Sequence, residues 1–320
     1  MFQPILVTTA RLIILMIAGY IVFQPRFLRQ HILPRLLSLT VNVLLPVYFI
    51  TAFAAGWDSA VEAGWGWMPV FFFASVVMMG FQAVVGTYLV RRVRIFASPH
   101  PRAWVALFAV QNVGFIPLPI LAAIAPEEIN IYMFFFVLAF VIIFWTLVVS
   151  LVSAEGGRLV FKPNMPLAGI VAGMVIAVFG LYDYIPGVLQ ATMEWLSEPA
   201  LDLILFVLGG ILATIPKADL KYRPEFGSLI WLRMLLYPAA MLGVLALIPF
   251  NGLSAEMAYG IRLVLVLEAA VPPATNLIVA AKKYGTEAQV HYMASGMLVT
   301  YIASFVTMPL FLIASHAAFG

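Results

Sequence analysis

Ten apolar runs, each close to the length that crosses a bilayer as a helix, follow one another along this chain and constrain it more than anything else it contains. A hydrocarbon layer of about 30 Å takes roughly 20 residues of α-helix. The runs fall at 5–23, 36–55, 67–90, 103–125, 131–153, 167–185, 200–215, 229–249, 257–281 and 292–315, the seventh being short. None shows the two-residue alternation and regular turns of barrel strands. The chain is 64% hydrophobic and only 10% charged, and a single core could not hide that surplus from water. Soluble globular and disordered folds are excluded, and the absence of cysteine excludes a disulfide-stapled secreted one. The expectation is an all-α membrane protein whose ten transmembrane helices are embedded in the lipid bilayer.

The links between the runs alternate in charge. Links one, three, five, seven and nine hold Arg26, Arg29 and Arg35; Arg91, Arg92, Arg94 and Arg102; Arg158 and Lys162; Lys217, Lys221 and Arg223; and Lys282 and Lys283, 14 of the 17 basic residues. The even links hold none of these and carry Asp58, Glu62, Glu127, Glu128, Asp183, Glu194, Glu198 and Glu256. Lys and Arg mark cytoplasmic loops, so both termini are expected outside the cytoplasm, in a plasma membrane of the bacterial inner-membrane kind. One missed span would scramble this alternation. Trp57, Trp65, Trp67, Trp104, Trp195 and Trp231 lie at span ends, where interfacial aromatics belong. The first run lacks a basic leader and a small-residue cleavage pattern and contains Arg11, so it is expected to be retained rather than removed as a signal peptide. A net charge of +3 is too mild to argue for a nucleic-acid partner.

The link at 154–166 divides the chain into a first five-helix unit, 1–153, and a second, 167–320. Five is odd, so a second copy of the unit enters the membrane upside down. Inverted repeats of this kind place a solute site at mid-membrane between them, on helices that are broken. Span four carries Asn112, Gly114, Pro117 and Pro119; span nine carries Glu268, Pro272, Pro273, Thr275 and Asn276. Proline lacks an N–H and collides with the preceding turn, so each helix is expected to break at its proline pair. One such pair alone reads as a kink, as Pro46, Pro238 and Pro309 do. Two pairs in matching spans, each beside amides or a carboxylate, read as a substrate site.

Few ionisable groups fall within the spans. Arg11, Arg233 and Arg262 lie within two turns of the run ends and are expected to snorkel. Glu268 sits eleven residues into span nine, where a carboxylate costs roughly 2.5–3.5 kcal/mol unless paired, protonated or cation-bound. It is open to three readings: an ion pair with a neighbouring arginine such as Arg233, a proton carrier, or a sodium ligand helped by Gln82, Asn112 or Thr275. Gln82 and Gln111 are the other mid-span amides, and an amide in a bundle is ordinarily inter-helix glue. The GxxxG of Gly169 and Gly173 and the pair Gly209-Gly210 read as close helix packing.

Enzyme chemistry has no foothold here. The four histidines lie in links or at span ends, and no HExxH or phosphate-binding glycine loop is present, so zinc and ATP chemistry lack their motifs. No pair of intramembrane aspartates offers an acid and a base. No cofactor is expected. A receptor or scaffold without transport is the alternative of another class, although it would not need symmetric helix breaks.

The residues at these breaks resemble the auxin efflux carrier family, within the larger group that includes the bile-acid:sodium symporters. The matching stretches are Val41-Asn-Val-Leu-Leu-Pro46, Asn112-Val-Gly-Phe-Ile-Pro-Leu-Pro119, Leu205-Phe-Val-Leu-Gly-Gly210 and Pro272-Pro-Ala-Thr-Asn-Leu-Ile-Val-Ala-Ala-Lys-Lys-Tyr-Gly285. The resemblance implies crossed broken helices, a panel-like scaffold, a moving transport domain of the elevator type and often a homodimer. It also implies small organic anions as substrates, with Asn112, Pro119 and Pro272 as crossover and contact positions. Helix N-termini at the breaks suit a carboxylate. Two departures stand out: Pro117 occupies a slot usually held by glycine, and span three has Gln82 where plant members carry an acid. Glu268 with Gln82 is similar to the sodium sites of bile-acid symporters, so coupling to sodium stands beside coupling to protons and uniport.

Overall fold

The structure is a computed structural model that describes residues 2–152, 164–215, 223–250 and 252–320. The seam expected at 154–166 is outside the described residues except for its last three, and so are Arg158, Lys162, Lys217 and Lys221. Among the described residues there is no strand, and the helices are α1 (Phe2–Val22), α2 (Leu28–Gly64), α3 (Trp67–Arg92), α4 (Pro101–Ala109), α5 (Pro117–Ile124) and α6 (127–152), followed by α7 (Met165–Val178), α8 (Gly187–Ser197), α9 (Ala200–Ala213), α10 (Pro224–Leu247), α11 (Ala255–Ala270), α12 (Asn276–Tyr284) and α13 (Glu287–Phe319). Among the described residues, six helical stretches are long and apolar enough to cross a membrane: α1, α2, α3, α8 with α9, α10 and α13.

Several boundaries differ from the sequence reading, for identifiable reasons. Span seven is not short, because helix resumes upstream: α8 and α9 together run from Gly187 to Ala213. Pro199, Glu194 and Glu198 disguise that upstream part as a loop. Span two begins eight residues earlier than expected, at Leu28. It passes Pro34 and Pro46 without ending because π-helical turns, Leu28–Ile32 and Thr40–Leu44, precede them. The π-turn Ile230–Leu236 stands in the same relation to Pro238. A proline ring collides with the carbonyl four residues back, and a wider turn moves that carbonyl out of the way.

Two sets of helices emerge. In one, α1 crosses α9 and α2 crosses α7, backbone against backbone. A Cβ at Gly19 would run into the Phe206 carbonyl and one at Gly209 into the Met16 carbonyl. Gly169 and Gly173 meet the backbone of α2 at Pro46 and Phe49 in the same way. Small residues allow such contact where lipid supplies no hydrophobic drive between helices. In the other set, α3 packs on α4 and α6, while α11 packs on α10 and α13. Trp104, expected at an interface, is fully buried on α4 and donates its indole N–H to the Glu225 carbonyl at 3.3 Å.

Candidate functional site

Both expected interruptions are present. Span four is non-helical between Ala109 and Pro117, and span nine between Ala270 and Asn276. The prolines act differently in the two. Pro117 opens the second half-helix α5, the position where its missing N–H removes no bond. Pro272 and Pro273 lie inside the break itself, and Val271 before them is extended, with φ −70° and ψ 149°, as a residue preceding proline prefers.

The two breaks lie across each other and are joined. Gln111 and Pro273 form an isolated antiparallel bridge. The Asn112 N–H donates to the Pro272 carbonyl at 2.9 Å, and the Ala274 N–H donates to the Val110 carbonyl at 3.0 Å. Backbone groups that neither helix can use are thereby satisfied deep in the fold, where an unpaired one would cost several kcal/mol. The Asn112 side chain reinforces the junction: its amide donates to the Tyr301 hydroxyl at 2.6 Å, and its carbonyl accepts the Phe115 N–H at 3.2 Å.

Behind the crossing sits a buried polar cluster. Glu268 has no exposed surface and accepts a long hydrogen bond of 3.4 Å from the Gln111 amide. Its other oxygen, Oε1, and the Gln111 Oε1 have no partner among the described residues. Gln82 is equally buried, yet neither of its polar atoms has a partner, so it does not join Glu268 by a hydrogen bond.

Arg233 does not snorkel. Span eight begins at Pro224 rather than at 229, which places Arg233 nine residues in, inside the π-turn, with no exposed surface. Its guanidinium donates to the Phe108 carbonyl and, at 3.1 Å, to the Val271 carbonyl. It forms no ion pair with Glu268 among the described residues, since Glu268 Oε2 is held by Gln111 and Oε1 by nothing. Arg262 does reach its helix end, donating to the Ile248 carbonyl at 3.2 Å and lying 4.6 Å over the Phe250 ring. Arg11 pairs with Asp202 on α9.

A cavity of about 560 Å³ opens against the crossing. Of the residues expected to contact a solute, Asn112, Gly114, Thr275 and Asn276 line it, whereas Pro117, Pro119, Pro272 and Pro273 do not. The opposite wall comes from α2 and the end of α9, through Asn42, Phe49 and Thr214. Arg29 and Lys282 stand on the lining, and no acidic residue does among those described. Gly114 has open space where a Cβ would stand, so its small size enlarges the cavity rather than permitting a close contact. Sequence reasoning missed Tyr301 and the bridging role of Arg233. A tyrosine in an apolar span carries no warning, but an arginine in the middle of one does.

The family model of the membrane transport proteins matches residues 4–168 and 157–312. An uncharacterized transporter of Methanothermobacter thermautotrophicus is 26% identical over 313 residues, which cover 95% of this chain and 96% of that protein. With nearly the whole chain matched, and with the two crossed breaks standing at the motifs of spans four and nine, the chain belongs to the membrane transport protein family of auxin efflux carrier-like transporters.

Proposed function

We propose that the chain is a secondary transporter that carries a small organic anion, a carboxylate or auxin-like acid, across a plasma membrane by alternating access. The observation that carries this reading is the cavity set against two crossed helix breaks, edged by Arg29 and Lys282 and free of acidic side chains among the described residues. The second half-helix of span nine starts at Asn276, with Thr275 as its cap, and both line the cavity. Helix N-termini present N–H groups and a partial positive charge, which suit a carboxylate. Phe49, Phe140 and Val141 supply an apolar wall for the organic part.

The helix pairing supports two inverted five-helix units. Span one meets span seven, and span two meets span six; exchanging the units turns one contact into the other. An elevator-type motion then slides the crossed-helix set along the panel of α1, α2, α7 and α9, and the cavity lies on that boundary. Glu268, with Gln111 beside it, is the group we assign to a coupling cation. Glu268 Oε1 and Gln111 Oε1 both lack a donor among the described residues, and a proton on the carboxyl or a bound cation would supply the missing partner; Gln82 makes no hydrogen bond to this pair.

Reconstituted vesicles given a panel of labelled carboxylates test the reading. Saturable movement of at least one of them is expected, and Glu268→Gln should alter its rate or its dependence on cations. Vesicles of folded protein that move none of the panel would overturn the transporter assignment in favour of a receptor or scaffold. An unchanged rate and cation dependence in Glu268→Gln would remove the coupling role.

A further inference from the structure

In transporters built on broken helices, exposed carbonyls and the C-terminal ends of the half-helices hold the coupling sodium ion or proton. Both such ends are here. Phe108 is the penultimate residue of α4, and Val271 directly follows α11. Each carbonyl stands at the C-terminal end of its half-helix, the negative end of the helix dipole, where a cation is favoured. That cation is already part of the chain. The Arg233 guanidinium, fully buried, donates to both carbonyls at once, and a guanidinium stays protonated in a protein.

We infer that Arg233 is a resident cation that takes the carbonyl site a coupling metal ion would need, so that solute movement by this chain is independent of sodium. The inference rests on the transporter reading and narrows it, because it removes sodium from the coupling alternatives. A sodium ion entering beside Glu268 would have to displace these two hydrogen bonds or sit next to a fixed positive charge. In a low-dielectric interior that repulsion is far larger than in water. Because Arg233 rides on α10 and grips the breaks of spans four and nine, it also fixes those three spans to one another. The crossing then moves as one body, with its internal charge unchanged on either side of the membrane.

Ion dependence of the melting temperature tests this without any substrate. Purified wild-type protein should melt at the same temperature in sodium and in choline chloride at ~0.15 M, and should bind no radioactive sodium. Arg233→Ala should melt several degrees lower, and millimolar guanidinium or methylguanidinium should restore part of the loss while leaving the wild type unmoved. Arg233→Lys retains a cation and serves if the alanine variant fails to fold; it should also stay indifferent to sodium. A sodium-specific rise in wild-type melting temperature, or saturable sodium binding, would overturn the proposal. So would a folded Arg233→Ala protein that ignores guanidinium. Vesicles that transport nothing would instead count against the transporter reading, and leave these ion measurements standing.

Discussion

Asn112 is the residue through which the crossing is locked, and it shows how a single side chain can be read correctly in place and incompletely in role. Its motif marks it as part of the break. Its amide, however, is committed to Tyr301 and Phe115, so it serves the shape of the site before any solute arrives. Asn112→Ala leaves the buried Tyr301 hydroxyl and the part-buried Phe115 N–H without this partner, and a buried group left unpaired costs about 1–3 kcal/mol. Tyr301→Phe strands only one amide donor and should cost about half as much. Chemical denaturation of the detergent-solubilised protein, with the double variant included, checks this: Tyr301→Phe should add little once Asn112 is alanine, and Asn112→Ala as stable as the wild type would refute it. Glu268 was legible as an intramembrane charge because the sequence alone gives its depth in span nine. Arg233 was misplaced because a helix start cannot be fixed within a turn when Pro224 opens the helix ahead of the apolar run. Tyr301 was invisible because nothing in an apolar span distinguishes a tyrosine that accepts a hydrogen bond from one that only packs.

At the scale of elements, the breaks and the glycine crossings were legible, while the extents of spans two, six and seven were not. Proline pairs have a fixed local effect, so the interruption could be placed to within a few residues. Span lengths depend on what a proline meets. A π-turn carries α2 past Pro34 and Pro46, whereas α7 ends at Val178 and Gly180 turns with φ +60°, seven residues before the expected end of span six. The close crossing of α1 and α9 gives a sharp prediction. Gly209→Ala should destabilise the protein by about 1–3 kcal/mol, the range for overpacking a tight contact, because the added carbon meets the Met16 backbone. Gly80→Ala makes the same chemical change on α3 where nothing lies within 4 Å of the new atom; there the better helix propensity should make it neutral or stabilising by about 1 kcal/mol. Thermal unfolding of the two variants side by side reads the contrast, and equal shifts would mean that the crossing is looser than described.

For the whole molecule, the distribution of charge and the position of the cavity make one joint statement about which way it faces. Arg29, Asn164 and Lys282 line the cavity from links one, five and nine, and Thr214 from the helix end next to link seven, the basic set that the positive-inside rule assigns to the cytoplasm. Asp58 and Glu194 lie exposed on the acidic set. The conformation is therefore expected to be open to the cytoplasm, with the crossing closing the other side. The chain has no cysteine, so single cysteines report without background. Cysteines replacing Asn42, Thr214 or Val279 should react with a membrane-impermeant maleimide only when the cytoplasmic face of a vesicle is presented. Cysteines at 58 and 194 should react only from the opposite face. A transported anion should slow the first set, because it competes for the same 560 Å³, and should leave the second unchanged. Labelling of the Asn42 position from the outer face in the absence of solute would mean either that the charge pattern assigns the wrong side or that the resting state opens away from the basic links. The 58 and 194 reporters separate those outcomes, since only a reversed orientation exchanges their labelling as well.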